Sequence, residues 1–200
     1  GIAHDGAGLS STTELLRAAD VALYCAKDRG RDRWAVYDET MTEQSRARSA
    51  LEQRLRAAVR DGGIGVAYQP IVDLTDGRMR GVEALARWST PEGAVSPHVF
   101  IPLAEQTGLI DELGAHVLEE SVAAVARWHA SGVFDGYVTV NVSPLQLRSP
   151  DFLARLDAVL ARHALAPSCL VIELTESAVA SETVDVWHGL EALHSRGIRL

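Results

Sequence analysis

The sequence has little of what marks secreted, membrane-spanning or nucleic-acid-binding proteins. Its two cysteines, Cys25 and Cys169, lie far apart and each within an apolar run, so we expect buried, reduced thiols rather than a disulfide framework. It has no run of about 18 apolar residues, so no segment is predicted to span a bilayer. Its net charge of -8 argues against a DNA or RNA polymer, or an anionic membrane, as the main partner, because both bind clustered Lys and Arg.

The composition is that of a soluble globular protein with a buried core. Hydrophobic residues make up 47% and charged residues 23% of the 200 positions, enough for one large domain or two smaller ones. An anionic ligand would need positive charge from its site, most simply from a metal ion. The sequence begins at Gly1 rather than Met and shows no signal peptide, so we expect a cut piece of a longer, cytoplasmic protein. Whether that parent protein carries a membrane anchor upstream of this sequence is left open.

A β-hairpin is predicted around the dipeptide Asp76-Gly77. Apolar strands at 66–72 and 80–85 flank it, and Asp-Gly between apolar runs favours an antiparallel pair. Glu83 lies near the end of the second strand in an apolar context, and Arg87 follows it. By itself this pattern is typical of a structural ion pair, so a functional role for Glu83 needs support from other strands.

The remaining elements follow from capping residues and apolar periodicity. The predicted helices lie between Ser11 and Gly30, at 39–61, from Pro97, at 111–130, from Ser149 and Pro150, and at 182–195. The further predicted strands lie at 34–37, 137–142 and 169–174, and another begins at Ile198. A loop is predicted at 91–97. From about residue 130 strands and helices alternate, which predicts an α/β fold with parallel strands joined by crossover helices. The short, regular segments favour a (β/α) barrel, with an open sheet as the alternative.

Three polar side chains lie near the C-terminal ends of predicted strands, where (β/α) barrels place their chemistry. They are Glu83, Asn141 and Glu173, and Glu176 follows in the next loop. Converging carboxylate and amide oxygens are what a hard divalent cation binds. The alternative for each residue is a helix cap or an ion pair with arginine. Their recurrence on successive strands, in apolar contexts where unpaired carboxylates are costly, favours a metal site.

The first forty residues resemble the end of a known domain. The segment LLRAADVALYCAKDRGRDRW resembles the last helix and strand of GGDEF domains, the diguanylate cyclase family, whose tail reads roughly A-D-x-A-L-Y-x-A-K-x-x-G-R-N. The matching residues are Asp20, Leu23, Tyr24, Ala26, Lys27, Gly30 and Arg31, while Asp32 replaces the usual Asn. The G-G-D-E-F signature itself is absent from the sequence, so the resemblance implies a helix–strand remnant of an α+β domain without cyclase chemistry.

A second resemblance covers about residues 46–200. The segments YQPIVDL, EALARW, EGAVSPHVFIPLAEQTGLI, VNVSPLQL and LVIELTES resemble, in this order, the N-terminal half of an EAL domain. The resemblance implies a TIM-like barrel with one antiparallel strand that hydrolyses cyclic di-GMP. It divides the chain into a GGDEF tail at 1–40, a connecting helix at 41–62 and a truncated EAL domain at 63–200.

The resemblance also implies roles for the polar residues. Glu83 matches the glutamate of the E-A-L motif, Asn141 the asparagine of V-N-x-S, and Glu173 the first glutamate of E-x-T-E, all metal ligands in the family. Glu176 matches the second glutamate of that motif, which holds a mobile loop near the site. Glu83 and Glu176 are therefore the predicted catalytic residues.

Substrate contacts are implied at Gln69 and Arg87. A phosphate-binding role for Arg87 agrees with its chemistry, because a guanidinium binds phosphate oxygens. The implied reaction uses two Mg²⁺ or Mn²⁺ ions and hydrolyses cyclic di-GMP to the linear dinucleotide pGpG. The resemblance also implies a homodimer formed through the EAL domain.

Family motifs that would follow Leu200, an Asp-Asp pair and a lysine among them, lie outside the 200 residues. A full barrel needs about 250 residues, so we expect this chain to be a fragment that is inactive alone. Two functions stay open for the parent protein: a phosphodiesterase, favoured by the presence of Glu83, Asn141, Glu173 and Glu176, and a non-catalytic module that binds cyclic di-GMP. A half-domain with an interaction role is a third alternative.

Overall fold

The computed structural model describes residues 1–4, 11–28, 32–174 and 184–200. The chain forms two compact units, Gly1–Arg54 and Leu55–Leu200. Its helices are α1 Thr12–Asp28, α2 Glu39–Arg60, α3 Pro97–Thr107, α4 Ile110–Ala130, α5 Pro144–Leu147, α6 Phe152–Arg162 and α7 Val184–Ser195. Its strands are β1 Ile64–Val72, β2 Met79–Thr90, β3 Gly93–Val95, β4 Tyr137–Asn141 and β5 Leu170–Glu173. In the described ranges, none of these helices is long and apolar enough to cross a membrane.

The first unit is built on α1 and the beginning of α2. Ser11 and Glu14 form a capping box at the start of α1: the Glu14 backbone N–H donates to Ser11 Oγ at 3.2 Å, and the Ser11 N–H donates to Glu14 Oε2 at 3.0 Å. A small core of apolar side chains packs inside this unit: Ala22, Cys25, Ala26, Ala35 and Met41. The predicted burial of Cys25 is confirmed, whereas Cys169, also predicted to be buried, is only half-buried. The predicted strand at 34–37 is reduced to a single parallel bridge between Ile2 and Val36.

The second unit contains one mixed sheet. Its strands lie in the order β1-β2-β4-β5, and β3 pairs with the end of β2. β1 and β3 run antiparallel to β2, whereas β2, β4 and β5 are parallel to one another. Arg199 bridges to Val171 in parallel, as expected for the start of a further strand at Ile198. The predictions of an α/β fold and of an antiparallel first strand are therefore confirmed.

The hairpin between β1 and β2 closes as the Asp-Gly signal predicts. Gly77 has φ of 69°, which a residue with a side chain rarely adopts, and its N–H donates to the Asp73 carbonyl at 2.8 Å. The Asp73 carboxylate also accepts from the Thr75 N–H at 2.9 Å. The resulting register places Gln69 directly opposite Glu83.

One face of the sheet is buried, with α3 packed on β2 and α4 packed on β1, β2 and β4. Because side chains alternate along strands, every second residue points to this buried face. The residues on this face are 0–4% exposed: Val82, Ala84, Val138, Val140, Leu170 and Ile172. The intervening residues, including Glu83 and Glu173, lie on the opposite face. The apolar alternation of the strands therefore determines which face carries the polar groups.

Two local predictions were wrong, and one short helix was not predicted. The loop predicted at 91–97 contains β3, which pairs Ser89 with Ala94. The segment after β4 forms the short helix α5, which was not predicted. The next helix begins at Phe152 rather than at Ser149 and Pro150, and Asp151 occupies its N-cap position without a side-chain capping bond. In addition, the predicted helix stop at Gly30 and the first residues of the helix predicted at 182–195 lie outside the described residues.

The contact between α4 and the end of α6 should make stability depend on pH. Glu119 accepts hydrogen bonds from Arg162 Nη1 at 2.6 Å and His163 Nε2 at 2.7 Å. Burial raises the pKa of Glu119, but these two bonds and the positive charge of Arg162 outweigh it, so the pKa lies below its ordinary value. The ionised form is thus favoured in the folded state, and its contribution to stability is lost as the pH falls through that lowered pKa.

We therefore expect Glu119→Gln to lower the free energy of unfolding at pH 7 by up to about 1 kcal/mol and by progressively less as the pH is lowered to about 3. Urea unfolding of the wild type and the variant at both pH values measures this difference. Glu120→Gln is the matched control, because it removes an exposed carboxylate at the neighbouring position. If both variants lose the same free energy of unfolding at both pH values, the contact between Glu119 and Arg162 does not contribute to stability.

Candidate active site

Two strands bring Glu83 and Asn141 into direct contact. Asn141 is the last residue of β4, and its Nδ2 donates a hydrogen bond of 2.9 Å to Glu83 Oε1 in β2. The parallel register pairs Glu83 with Thr139, so Asn141 lies two residues further along on the same face. Glu173 is the last residue of β5 and pairs with Asn141. The structure thus brings the three predicted metal ligands to one edge of the sheet.

The two carboxylates of this group influence each other. Partial burial raises the pKa of Glu173 above its ordinary value, and the negative charge of Glu83 raises it further. The site therefore disfavours a second negative charge when no cation is near. A bound divalent cation would reverse that effect by stabilising both carboxylates in their ionised form.

A cavity of about 350 Å³ is lined by Asn141 and Glu173 of this group, but not by Glu83. Part of its polar lining comes from strand ends and the turn after β4, including Arg87 and Ser143. Its apolar lining comes mainly from α3 and α4. The cavity joins a positively charged group, an acidic group and an apolar wall, which is the arrangement that a ligand with phosphate and ring portions needs.

Two further polar residues on the cavity wall, Glu105 and Gln146, were not predicted to belong to the site. Ser143 is the N-cap of α5, and its N–H donates to Gln146 Oε1 at 3.0 Å in a capping box. The Ser143 hydroxyl donates to Glu105 Oε1 at 2.6 Å. The sequence Ser143–Pro144–Leu145–Gln146 carries the S-x-x-Q signal that would have revealed the capping box. No local signal reveals Glu105, because it lies 38 positions before Ser143.

The predicted substrate-binding residues are placed differently. Arg87 lines the cavity, is exposed, and donates from Nη1 to the Ala86 carbonyl at 3.0 Å. Gln69 is exposed and pairs with Glu83 across the hairpin, on the same face, but it is not part of the cavity lining. The predicted catalytic residue Glu176 lies outside the described residues.

The donor atoms at this edge suit a hard divalent cation. Mg²⁺ and Mn²⁺ prefer oxygen ligands, and Glu83, Glu173 and Asn141 offer two carboxylates and an amide. Across the part of the chain that the structure describes, no three His, Cys, Asp or Glu side chains gather as a metal-binding group. The amide oxygen of Asn141 could act as a third protein ligand beside the two carboxylates.

Trp88, Trp128 and His116 make structural contacts between the helices and the sheet. Trp88 is 3% exposed and packs edge-to-face on Phe100, with ring centroids 5.9 Å apart. Trp128 makes a similar contact with Tyr68 at 4.9 Å. His116 bonds through Nε2 to the Ile64 carbonyl at 2.7 Å. These aromatic groups hold the helices against the sheet and are not directed into the cavity.

Comparison with known proteins identifies relatives of this chain. The bifunctional diguanylate cyclase/cyclic di-GMP phosphodiesterase MucR of Pseudomonas aeruginosa is 37% identical over 186 residues, which cover 92% of this chain and 27% of that protein. An uncharacterized protein of Synechocystis sp. is 37% identical over 187 residues, which cover 93% of this chain and 27% of that protein. The chain thus spans about a quarter of the length of these curated relatives.

A solved structure has the same fold and a similar sequence. The PaMucR phosphodiesterase in complex with c-di-GMP superimposes with a TM-score of 0.70 at 37% identity, covering 74% of this chain and 61% of that one. The profile of the EAL domain matches residues 52–200. The chain therefore belongs to the EAL domain family.

Proposed function

We propose that this chain is part of a metal-dependent phosphodiesterase that hydrolyses cyclic di-GMP to linear pGpG in bacterial second-messenger signalling. The observation that carries the proposal is the convergence of Glu83, Asn141 and Glu173 at one sheet edge, next to a cavity that Arg87 lines. A relative named as a cyclic di-GMP phosphodiesterase, 37% identical over most of this chain, supports the same substrate. Turnover of cyclic di-GMP by the full-length parent protein tests the proposal.

Glu83, Asn141 and Glu173 would hold Mg²⁺ or Mn²⁺. Ions bound there would supply Lewis-acid stabilisation of the charge that develops on the phosphate. The hydrogen bond from Asn141 Nδ2 holds Oε1 of the Glu83 carboxylate and does not use its second oxygen, Oε2, which would then bind the ion. Glu176 would complete the catalytic set, in the role of the second glutamate of E-x-T-E.

The remaining named residues would bind the substrate. Arg87 offers a guanidinium on the cavity wall, and a guanidinium binds phosphate oxygens through charge-assisted hydrogen bonds. Gln69 lies opposite Glu83 with an exposed amide, so it would contact a ligand that extends from the cavity across the hairpin. The apolar wall formed by α3 and α4 would exclude water from that side of the ligand.

The wider organisation is also part of the proposal. Residues 63–200 would form the N-terminal portion of a TIM-like barrel, residues 41–62 a connecting helix, and residues 1–40 the tail of a GGDEF domain. The similarity to MucR supports the last point, because it covers 92% of this chain and so extends upstream of residue 52. The parent protein would be longer than this chain, located in the cytoplasm, and dimeric through its EAL domain.

Replacing Arg87 should weaken substrate binding. We expect Arg87→Ala to raise the Kd for cyclic di-GMP by about 10- to 100-fold, because a charge-assisted bond to phosphate is lost. Calorimetric titration in the presence of Ca²⁺, a hard oxygen-binding cation used here in place of Mg²⁺, measures this Kd. Arg78→Ala is the matched control, since that exposed arginine lies in the hairpin turn at the other end of β2. An unchanged Kd for Arg87→Ala would remove Arg87 from the binding site.

A further inference from the structure

Glu105 lies on α3 rather than on the sheet, yet it holds the turn that follows Asn141. Its Oε1 accepts a hydrogen bond of 2.6 Å from the Ser143 hydroxyl. Ser143 comes two residues after Asn141 and is the N-cap of α5. The contact spans 38 positions of the chain, so it ties two separate elements together rather than closing a local turn.

Several bonds fix Ser143 in this position. Its hydroxyl has one proton, which goes to Glu105, and its oxygen accepts from the Leu145 N–H at 3.3 Å. Its own N–H donates to Gln146 Oε1 at 3.0 Å, and Gln146 is 4% exposed. Gly114 makes room for that glutamine, because a Cβ at this position would lie 1.9 Å from Gln146 Nε2. The turn is therefore held in one conformation by Glu105 of α3 and Gln146 of α5, and Gly114 of α4 leaves the space that Gln146 occupies.

The fixed turn has a direct consequence for the site. Asn141 donates to Glu83 at 2.9 Å, and only Val142 separates it from the clamped Ser143. Val142 is itself held, since its N–H donates to the Glu173 carbonyl at 2.9 Å. We infer that Glu105 is a positioning residue: through Ser143 it fixes the β4–α5 turn and so sets the Asn141 amide against Glu83. The identity of the ligand that this site binds rests on the proposed function. The contact between Glu105 and Ser143 does not depend on it.

The position of the Asn141 amide can be observed without any ligand. Asn141 is the only asparagine in the chain, so labelling with [¹⁵N]asparagine gives a single side-chain amide pair in an NMR spectrum. We expect Glu105→Ala to speed the exchange of the Asn141 Nδ2 protons with water by about fivefold, because the bond to Glu83 is less well held. Glu105→Gln should restore slow exchange, since an amide oxygen accepts the same bond from Ser143.

Two further variants separate positioning from stability. Thr107→Ala removes a hydroxyl bond of 2.7 Å to the Leu103 carbonyl in the same helix, so it should leave the Asn141 signals unchanged. Ser143→Ala should speed exchange as Glu105→Ala does, and the double variant should add no further increase. If Glu105→Ala does not fold, the comparison of Ser143→Ala, with faster exchange, and Glu105→Gln, with slow exchange, still tests the inference. Unchanged Asn141 exchange in the folded variants, even with a lowered Tm, would overturn the inference.

Metal binding distinguishes this inference from the proposed function. We expect Glu105→Ala to weaken Mn²⁺ binding by about tenfold in a paramagnetic titration, and Thr107→Ala to leave it unchanged. If the wild type binds no Mn²⁺ while the Asn141 amide still responds to Glu105→Ala, the metal assignment fails and the positioning role stands. If Mn²⁺ binds equally to wild type and Glu105→Ala and the amide signals are identical, the positioning role fails.

Discussion

Replacing Glu83 by glutamine in the full-length parent protein should reduce the rate of cyclic di-GMP hydrolysis by about 1,000-fold, a loss of about 4 kcal/mol of transition-state stabilisation. The change keeps the size of the side chain and an oxygen that can accept the bond from Asn141 Nδ2. It removes the negative charge that would bind a divalent cation. Turnover is measured by chromatographic separation of the cyclic and linear dinucleotides at saturating Mg²⁺.

The matched control is Glu112→Gln, which removes an exposed carboxylate from α4. It should leave turnover unchanged, so that loss of charge elsewhere is excluded as the cause. Glu83→Gln should also keep its Tm close to that of the wild type, because Glu83 is only half-buried. Full activity in Glu83→Gln would contradict the proposed metal site.

The largest effect on stability is expected at Phe100. Its side chain is 0% exposed and packs edge-to-face on Trp88, which fastens α3 to β2. We expect Phe100→Ala to lower the free energy of unfolding by about 3–5 kcal/mol, because it leaves a cavity and removes an aromatic contact. Urea unfolding followed by tryptophan fluorescence measures the change, since Trp88 lies at the altered contact.

Val99→Ala provides the comparison at the neighbouring position of the same helix. Val99 is 49% exposed, so its truncation should cost less than about 1 kcal/mol. Similar losses for the two variants would show that α3 is not anchored through Phe100. Because α3 also carries Glu105, a weakened anchor should speed the exchange of the Asn141 amide protons as well.

The parts of the fold that depend on local chemistry could be predicted from the sequence. The Asp76-Gly77 turn needs a positive φ, which Gly77 adopts at 69°, and the turn then determines the hairpin register. The alternating apolar residues of β2, β4 and β5 identify the buried face, and so place Glu83 and Glu173 on the opposite one. The predicted meeting of Glu83 and Asn141 follows from this alternation and from the parallel strand order.

Features that depend on contacts between distant segments could not be predicted in this way. β3 has only three residues and exists because β2 extends beyond β4 and offers it an edge. Glu105 belongs to the site because α3 passes beside the β4–α5 turn, which no spacing within α3 reveals. The start of α6 was misplaced because Ser149 and Pro150 resemble a helix start, whereas Asp151 takes the N-cap position.

The most direct test of the account is the product formed from cyclic di-GMP by the full-length parent protein, with Mg²⁺ and with the chelator EDTA. We predict that linear pGpG accumulates with Mg²⁺ and that none forms with EDTA, because in the proposed mechanism Glu83, Asn141 and Glu173 would act by holding the ion. Cyclic di-GMP that is bound tightly but recovered intact in the presence of Mg²⁺ would contradict the phosphodiesterase assignment. That result would identify the protein as a non-catalytic module that binds the dinucleotide.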